Sequence, residues 1–286
     1  MTSGRVRVVG IGDNVVDRYE GLGLTFPGGN CVNVAVFAAR SGATAAYIGA
    51  VGRDEDGYLI RQALISEGVD VSRLRMEDGP TAYCRVGHQN GDRVFLSSDL
   101  GVSLFDPDPA DLEALATFDA AHVGFSSRLD DHLEAIAGRT RLSYDFAVHQ
   151  EPGHIRATAP SCFLAAFSGG HLTDTEVTAV HRLAVEAGAT WVLVTRGAAG
   201  ALLANGSSVW NCAAAPAGHV VDTLGAGDAF IARTLVGLLA GESPDHLLSA
   251  AATDAARTCT ALGAFGHARV TPASTSQPLT TVRNDP

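Results

Sequence analysis

Apolar runs of strand length alternate with stretches of helical period along most of the chain. RVRVVGIG (5–12) is a short apolar run and reads as a buried first strand. CVNVAVFAARSG (31–42) repeats its apolar positions at helical spacing and ends at Gly42, a good helix stop. ATAAYIGAVG (43–52) reads as strand again. DEDGYLIRQALISEG (54–68) opens on acids and closes on glycine, as a helix should. Further strands are predicted at 119–125, 141–146, 162–168 and 190–196, with helices at about 110–117, 129–138 and 173–188 between them. The alternation predicts an α/β fold: a parallel central sheet with helices on both faces.

Two segments break this rhythm. NVVDRYEGLGLTF (14–26) and TAYCRVGHQNGDRVFLSS (81–98) read as antiparallel strands, the second turning at Asn90-Gly91. They predict a small antiparallel β lid on a single domain spanning 1–270. Their exposed edges would offer a homodimer contact. Residues 271–286, rich in Pro, Ser and Thr, are expected to form a flexible tail.

Composition narrows the function. With 286 residues and 46% hydrophobic positions the chain can bury a large core. The formal net charge is −11 and no basic patch is visible, which argues against nucleic acid as a partner. No apolar run reaches the ~18–20 residues that span a bilayer, and no signal peptide precedes the first strand, so a cytoplasmic protein is expected. Five scattered cysteines, without a C-x-x-C pair, argue against a zinc site or a disulfide framework. All 20 Lys+Arg residues are arginine, which removes P-loop and Schiff-base chemistry, since both need lysine.

The most informative stretch is DTLGAGDAFIA (222–232), which runs into an apolar helix starting near Gly227. A helix start presents unpaired N–H groups and the positive end of the dipole, and small residues let a ligand approach that backbone. The amides of Gly225, Ala226 and Gly227 thus suit a phosphate. Asp228 in the same turn has two readings. It is a favoured first-turn acid, or it is a general base that takes a proton from an attacking hydroxyl beside the anion site.

These residues resemble the C-terminal signature of the ribokinase-like (PfkB) carbohydrate and nucleoside kinases. GDNVVDRY followed by FPGGNCVNVA resembles the family's N-terminal landmark, and VGRDEDG (51–57) fits its pattern; the likeness spans roughly residues 6–266. It implies ATP as phosphoryl donor, Mg²⁺ with it, and a small sugar as acceptor. Asp17, flanked by Asp13 and Asn14, would hold sugar hydroxyls; Gly28 and Gly29 would lie against the sugar, with Asn30 and Asn33 facing the same pocket. Thr195, Arg196, Gly197 and Gly200 would form the nucleotide loop, and Ala252 and Thr253 would flank the adenine. Asp222 would sit beside a K⁺ ion. The family's usual Asn-x-x-Glu is absent, and Asp174 or Glu176 stand as replacement metal-site acids, although both also fit ordinary first-turn helix acids.

Within the family, GDNVVDRY, GGNCVNVAV, NGDRVF and LGAFG most resemble the fructoselysine 6-kinases, which phosphorylate a ketoamine sugar at its 6-hydroxyl. Arg93, with Asp92, His88 and Tyr83, would serve the amino-acid appendage from the lid. Another sugar, a sugar acid or a nucleoside remain as acceptors. From other classes, a catalytically silent sugar-binding protein remains, as does a nicotinamide dehydrogenase, though Gly10-Ile11-Gly12-Asp13-Asn14-Val15 lacks the third glycine of the dinucleotide fingerprint.

Overall fold

The computed structural model describes residues 4–89 and 92–271, with the backbone alone for 88, 89 and 92–95. The expected Asn90-Gly91 turn, the side chains of His88, Asp92 and Arg93, and the expected tail beyond Thr271 lie outside the described residues.

The chain opens with β1 (Arg7–Ile11), β2 (Val15–Tyr19), β3 (Leu24–Gly28) and α1 (Asn30–Arg40). It continues through β4 (Thr44–Gly52), α2 (Glu55–Ser66), β5 (Asp70–Glu77), β6 (Tyr83–Gln89) and β7 (Asp92–Asp99). Then come α3 (Pro109–Leu115), β8 (Ala120–Gly124), α4 (Leu133–Ala137), β9 (Arg141–Asp145), α5 (Pro152–Thr158), β10 (Cys162–Ser168) and α6 (Asp174–Ala187). The last elements are β11 (Trp191–Thr195), β12 (Ala201–Asn205), β13 (Ser208–Cys212), α7 (Ala226–Leu239), α8 (Pro244–Thr258) and β14 (Arg269–Val270).

Among the described residues nine strands form the main sheet, in the order β13-β12-β11-β10-β9-β8-β1-β4-β5. From β11 to β5 every pairing is parallel, and β12 and β13 extend the sheet antiparallel. Its strands are apolar on both sides because both faces are covered. Val8 packs with residues of α1, α2, α7 and α8, while its neighbour Val9 packs with residues of α3 to α6. The predicted parallel sheet with helices on both faces is the observed fold. β5, which the apolar pattern missed, is an edge strand carrying Arg73 and Arg75, both ion-paired to Asp111 of α3; charge on a sheet edge hides it from hydropathy and blunts edge-to-edge pairing.

The segments 14–26 and 81–98 do form a second sheet, ordered β14-β3-β2-β6-β7. Its hairpins are antiparallel as expected, but β2 and β6 pair parallel, with Asp17 opposite Cys84. Both strands follow parallel strands of the main sheet, β1 and β5, and so enter the second sheet in the same direction. This sheet has its own small core of Tyr19, Phe26 and Val86, with the first two rings packed edge-on at 5.2 Å.

One carboxylate fastens the crossover between the sheets. Asp54 caps α2 by accepting from the amide of Gly57 (2.8 Å), and also accepts from the amide (2.8 Å) and hydroxyl (2.6 Å) of Thr81, just before β6. Burial pushes the Asp54 carboxyl up, but these hydrogen bonds outweigh it and hold it below its usual value. Its contribution is therefore present above about pH 4 and lost as pH falls through its depressed folded value. Asp54→Ala should lower stability at pH 7 by about 1–3 kcal/mol in urea unfolding. The gap to wild type should narrow on acidification below about pH 4.

Candidate active site

Two helices begin against each other at the carboxyl ends of the main-sheet strands. α1 starts directly after Gly28-Gly29, where Gly29 takes φ 105° and a side chain would collide with the Asn14 backbone at 2.6 Å. α7 starts after Gly225, which takes φ 77° and presses on Ala264. Asp228, in the first turn of α7, reaches across to α1. Its Oδ1 accepts from Asn30 Nδ2 at 2.8 Å and its Oδ2 accepts from Asn33 Nδ2 at 2.6 Å. Asn30 and Asn33 are three residues apart on one helix, so both amides face the same carboxylate.

Further polar groups converge there. Asn30 Nδ2 also donates to Asp145 Oδ2, at the end of β9, at 2.8 Å. The Asn30 amide nitrogen donates to Asp13 Oδ2 at 2.9 Å, and Ser127 Oγ donates to Asp13 Oδ1 at 2.9 Å. Asp13 thus joins the start of α1 through one oxygen to the turn after β8 through the other. Burial pushes Asp228 up to about 7 against the hydrogen bonds of Asn33 and Asn30, and the charges of Asp145 and Asp13 add to the rise. Burial likewise raises Asp145 to about 6. A carboxylate so raised, next to an anion-attracting helix start, has the character of a general base.

On the lid side, Gly28 is buried where Asp17 and Asn33 come together. A side chain there would meet Asp17 Oδ2 at 2.6 Å and would come within 3.8 Å of Asn33 Oδ1. Asp17 is buried, and Asn33 Oδ1 is a buried acceptor without a partner among the described residues. Asp17, Gly28, Asn33 and Asp228 therefore line one small polar recess. Asn14 is turned inward instead: its Nδ2 donates to Tyr47 Oη (3.0 Å) and Ala50 O (2.7 Å), while its Oδ1 has no partner among the described residues.

On the other side of Asp228 lies a cavity of about 770 Å³. Ala226 and Gly227 line it, together with Ser168, Thr195, Gly197, Gly200 and an alanine-rich wall that includes Ala215, Ala252, Ala255 and Ala256. Apart from its chain neighbours and its own helix backbone, no atom of the described residues lies within 4 Å of where a Gly227 side chain would be, so the backbone is bare toward the cavity. The Ala226 amide is partly engaged with Thr223 O at 3.3 Å. A flat slot of small side chains ending at a helix start suits a nucleotide with its phosphates at α7.

Four expected site residues, Thr253, Arg196, Asp174 and Glu176, do not line this cavity. Thr253 is exposed and its hydroxyl donates back to Ser249 O at 2.9 Å. Arg196 pairs with Asp174 at 2.6 Å. Glu176 closes a capping box with Thr173, which holds its carboxyl below the usual range. Asp174 and Glu176 thus have the helix-start role open to them from the sequence. The Asp222 oxygens meet donors, Leu224 N (3.0 Å), Gly263 N (3.1 Å) and the Tyr19 hydroxyl, an arrangement that ties loops together. Asp145, His122 and Ser127, all part of the site, carried no motif. Asp145 ends its apolar strand, His122 interrupts one and Ser127 follows it by three residues, a scatter without a pattern.

The profile of the pfkB family carbohydrate kinases matches residues 15–140 and 164–267. Fructosamine kinase FrlD of Bacillus subtilis (strain 168) is 35% identical over 268 residues, covering 92% of this chain and 94% of that one. Fructoselysine 6-kinase of Escherichia coli (strain K12) is 33% identical over 257 residues, covering 89% and 98%. Arabidopsis thaliana ribokinase, solved with ribose and ATP, shares the fold with a TM-score of 0.78 at 21% identity, covering 92% and 95%. The chain therefore belongs to the pfkB family of carbohydrate kinases and is a sugar phosphotransferase of ribokinase-like fold.

Proposed function

We propose that the protein transfers the γ-phosphoryl group of ATP to the 6-hydroxyl of a ketoamine sugar of the fructosamine type, with Asp228 as general base. The observation that carries this reading is the place of Asp228, between the cavity at the start of α7 and the recess of Asp17, Gly28 and Asn33. Asp228 takes the proton of the attacking hydroxyl. The backbone from Gly225 to Gly227 steadies the charge on the phosphoryl group in flight. Asp17 and Asn33 hold the acceptor, whose orientation supplies much of the rate. Mg²⁺ is expected to arrive on the nucleotide and to neutralise phosphate charge there. Among the described residues no group of three His, Cys, Asp or Glu side chains is gathered to hold an ion.

The choice of acceptor rests on charge. Asp13, Asp17, Asp145 and Asp228 are gathered on this side of the site. That field favours an acceptor bearing an ammonium group and disfavours a sugar acid. The fructosamine and fructoselysine kinases among the relatives agree with that choice.

Three outcomes are expected. With Mg-ATP and product detection by mass spectrometry, fructoselysine should exceed fructose at least about tenfold in kcat/KM, a difference of about 1.4 kcal/mol; preference for a sugar acid would sink the assignment. Asp228→Asn should reduce kcat by ~10²-fold or more while ATP binding persists, whereas Asp17→Ala should act mainly through acceptor KM. Because the base must be ionised, kcat/KM should rise with pH through a limb near 7, the value to which burial raises Asp228.

A further inference from the structure

Asp228 is joined to a second carboxylate by a single side chain. Asn30 directs both hydrogens of its carboxamide to acids, one to Asp228 Oδ1 and one to Asp145 Oδ2, each at 2.8 Å. Its oxygen faces His122 Nε2 at 2.9 Å, so that nitrogen carries the hydrogen, and His122 Nδ1 accepts from Ser143 Oγ at 2.9 Å. A flipped amide would set oxygen between two carboxylates and NH₂ against N–H. Burial pulls His122 down to about 3, which keeps the ring neutral at working pH.

The backbone is shaped for this bridge. A side chain at Gly124 would lie 2.3 Å from Asn30 Oδ1. His122 pairs with Ser143, and Gly124 with Asp145, across β8 and β9, so one strand register delivers the whole set. The second Asp145 oxygen accepts from Ala147 N at 2.8 Å, and Ala147 adopts the left-handed φ of 51° to donate it.

Neutral side chains would also satisfy these donors. A carboxylate at 145 adds charge beside another carboxylate, and burying it carries a desolvation cost. The surrounding groups do not cancel that charge. Asp13 reaches in from the end of β1 and Asp17 from β2, both acidic; Cys31 of α1 and Tyr47 of β4 are kept neutral because burial raises them; His122 of β8 is neutral.

We propose that Asp145 is a positioning residue for phosphoryl transfer: its negative charge, held beside Asp228 by the Asn30 carboxamide, raises the basicity of the base. The proposal rests on the reading of Asp228 as that base. The proton balance is simple. The acceptor hydroxyl loses its proton to Asp228 as its oxygen bonds to the γ-phosphorus. The bond from γ-phosphorus to the β-γ bridging oxygen breaks, and its electron pair leaves with ADP. Asp145 stays ionised throughout. Burial raises both carboxyls, Asp145 to about 6 and Asp228 to about 7.

The test follows the Asp228 carboxyl directly, by ¹³C NMR of the full chain labelled at the aspartate Cγ, with the signal assigned by its loss in Asp228→Asn. In Asp145→Asn its midpoint should fall by about one pH unit, because a like charge has gone. In Asn30→Ala it should rise, because a donor to the carboxylate has gone while the Asp145 charge remains. A site merely loosened would move both variants the same way, toward the usual carboxylate range. A midpoint in Asp145→Asn that stays or rises overturns the proposal. If that variant does not fold, Asn30→Ala decides, and a midpoint that stays or falls overturns it. The base reading is judged separately. Full phosphorylation of fructose or fructoselysine by Asp228→Asn would remove that reading whatever the midpoints do. If it stands, the acid limb of kcat/KM should move in Asp145→Asn by the same amount as the NMR midpoint.

Discussion

The site depends on how three acidic side chains, Asp13, Asp145 and Asp228, are kept together in a largely dry place. Like charges at such range repel strongly once water is removed, and each would otherwise bind a proton. Asn30 answers all three at once, with its backbone amide to Asp13 and its two side-chain hydrogens to Asp145 and Asp228. The starts of α1 and α7 bring their positive dipole ends to the same place. The carboxylates are therefore held, though not fully relieved; burial first, with the remaining repulsion added to it, leaves Asp228 basic near neutrality.

The fold supplies these groups from segments far apart in the chain. The acids lie at the carboxyl ends of β1 and β9 and at the start of α7, and in open parallel sheets those strand ends are where ligands gather. The lid is tied to the main layer at two places. Tyr19 of β2 bonds Asp222 in the loop before α7, and Arg18 of β2 and Arg269 of β14 both pair with Asp56 of α2. Since β2 also carries Asp17, the strand that presents this acid is anchored to the loop that leads into the first turn of α7.

How much of this the chain reveals as text follows from range. The α7 turn was legible because its chemistry is local: small residues, a helix start and an acid lie within seven positions. The two-face burial of the main strands was legible because parallel strands must be apolar throughout. The Asn30 bridge was not, because His122, Ser143 and Asp145 join it only through the β8–β9 register, and no single segment holds the pattern. The parallel β2–β6 pairing was hidden for the same reason. Asn14 was placed with the sugar residues by proximity in sequence, yet Tyr47 and Ala50 claim its amide from β4. Thr253 shared a helix with Ala252, but neighbouring helix positions point about 100° apart, and one lines the cavity while the other meets solvent.

A carboxylate and an anion site can share one helix turn because they use different parts of it. The backbone of Ala226 and Gly227 faces the cavity, where the missing Gly227 side chain leaves it bare. The Asp228 side chain leaves the helix toward α1, and Asn30 and Asn33 hold both its oxygens on that side. Backbone and side chain thus present opposite polarity in different directions, so the amides can attract a phosphate without the carboxylate lying in its path. The two asparagines matter here beyond their hydrogen bonds. Without them the first-turn acid would be drawn onto the unpaired amides of its own helix, the ordinary fate of such a residue, and would cover the backbone that is bare here.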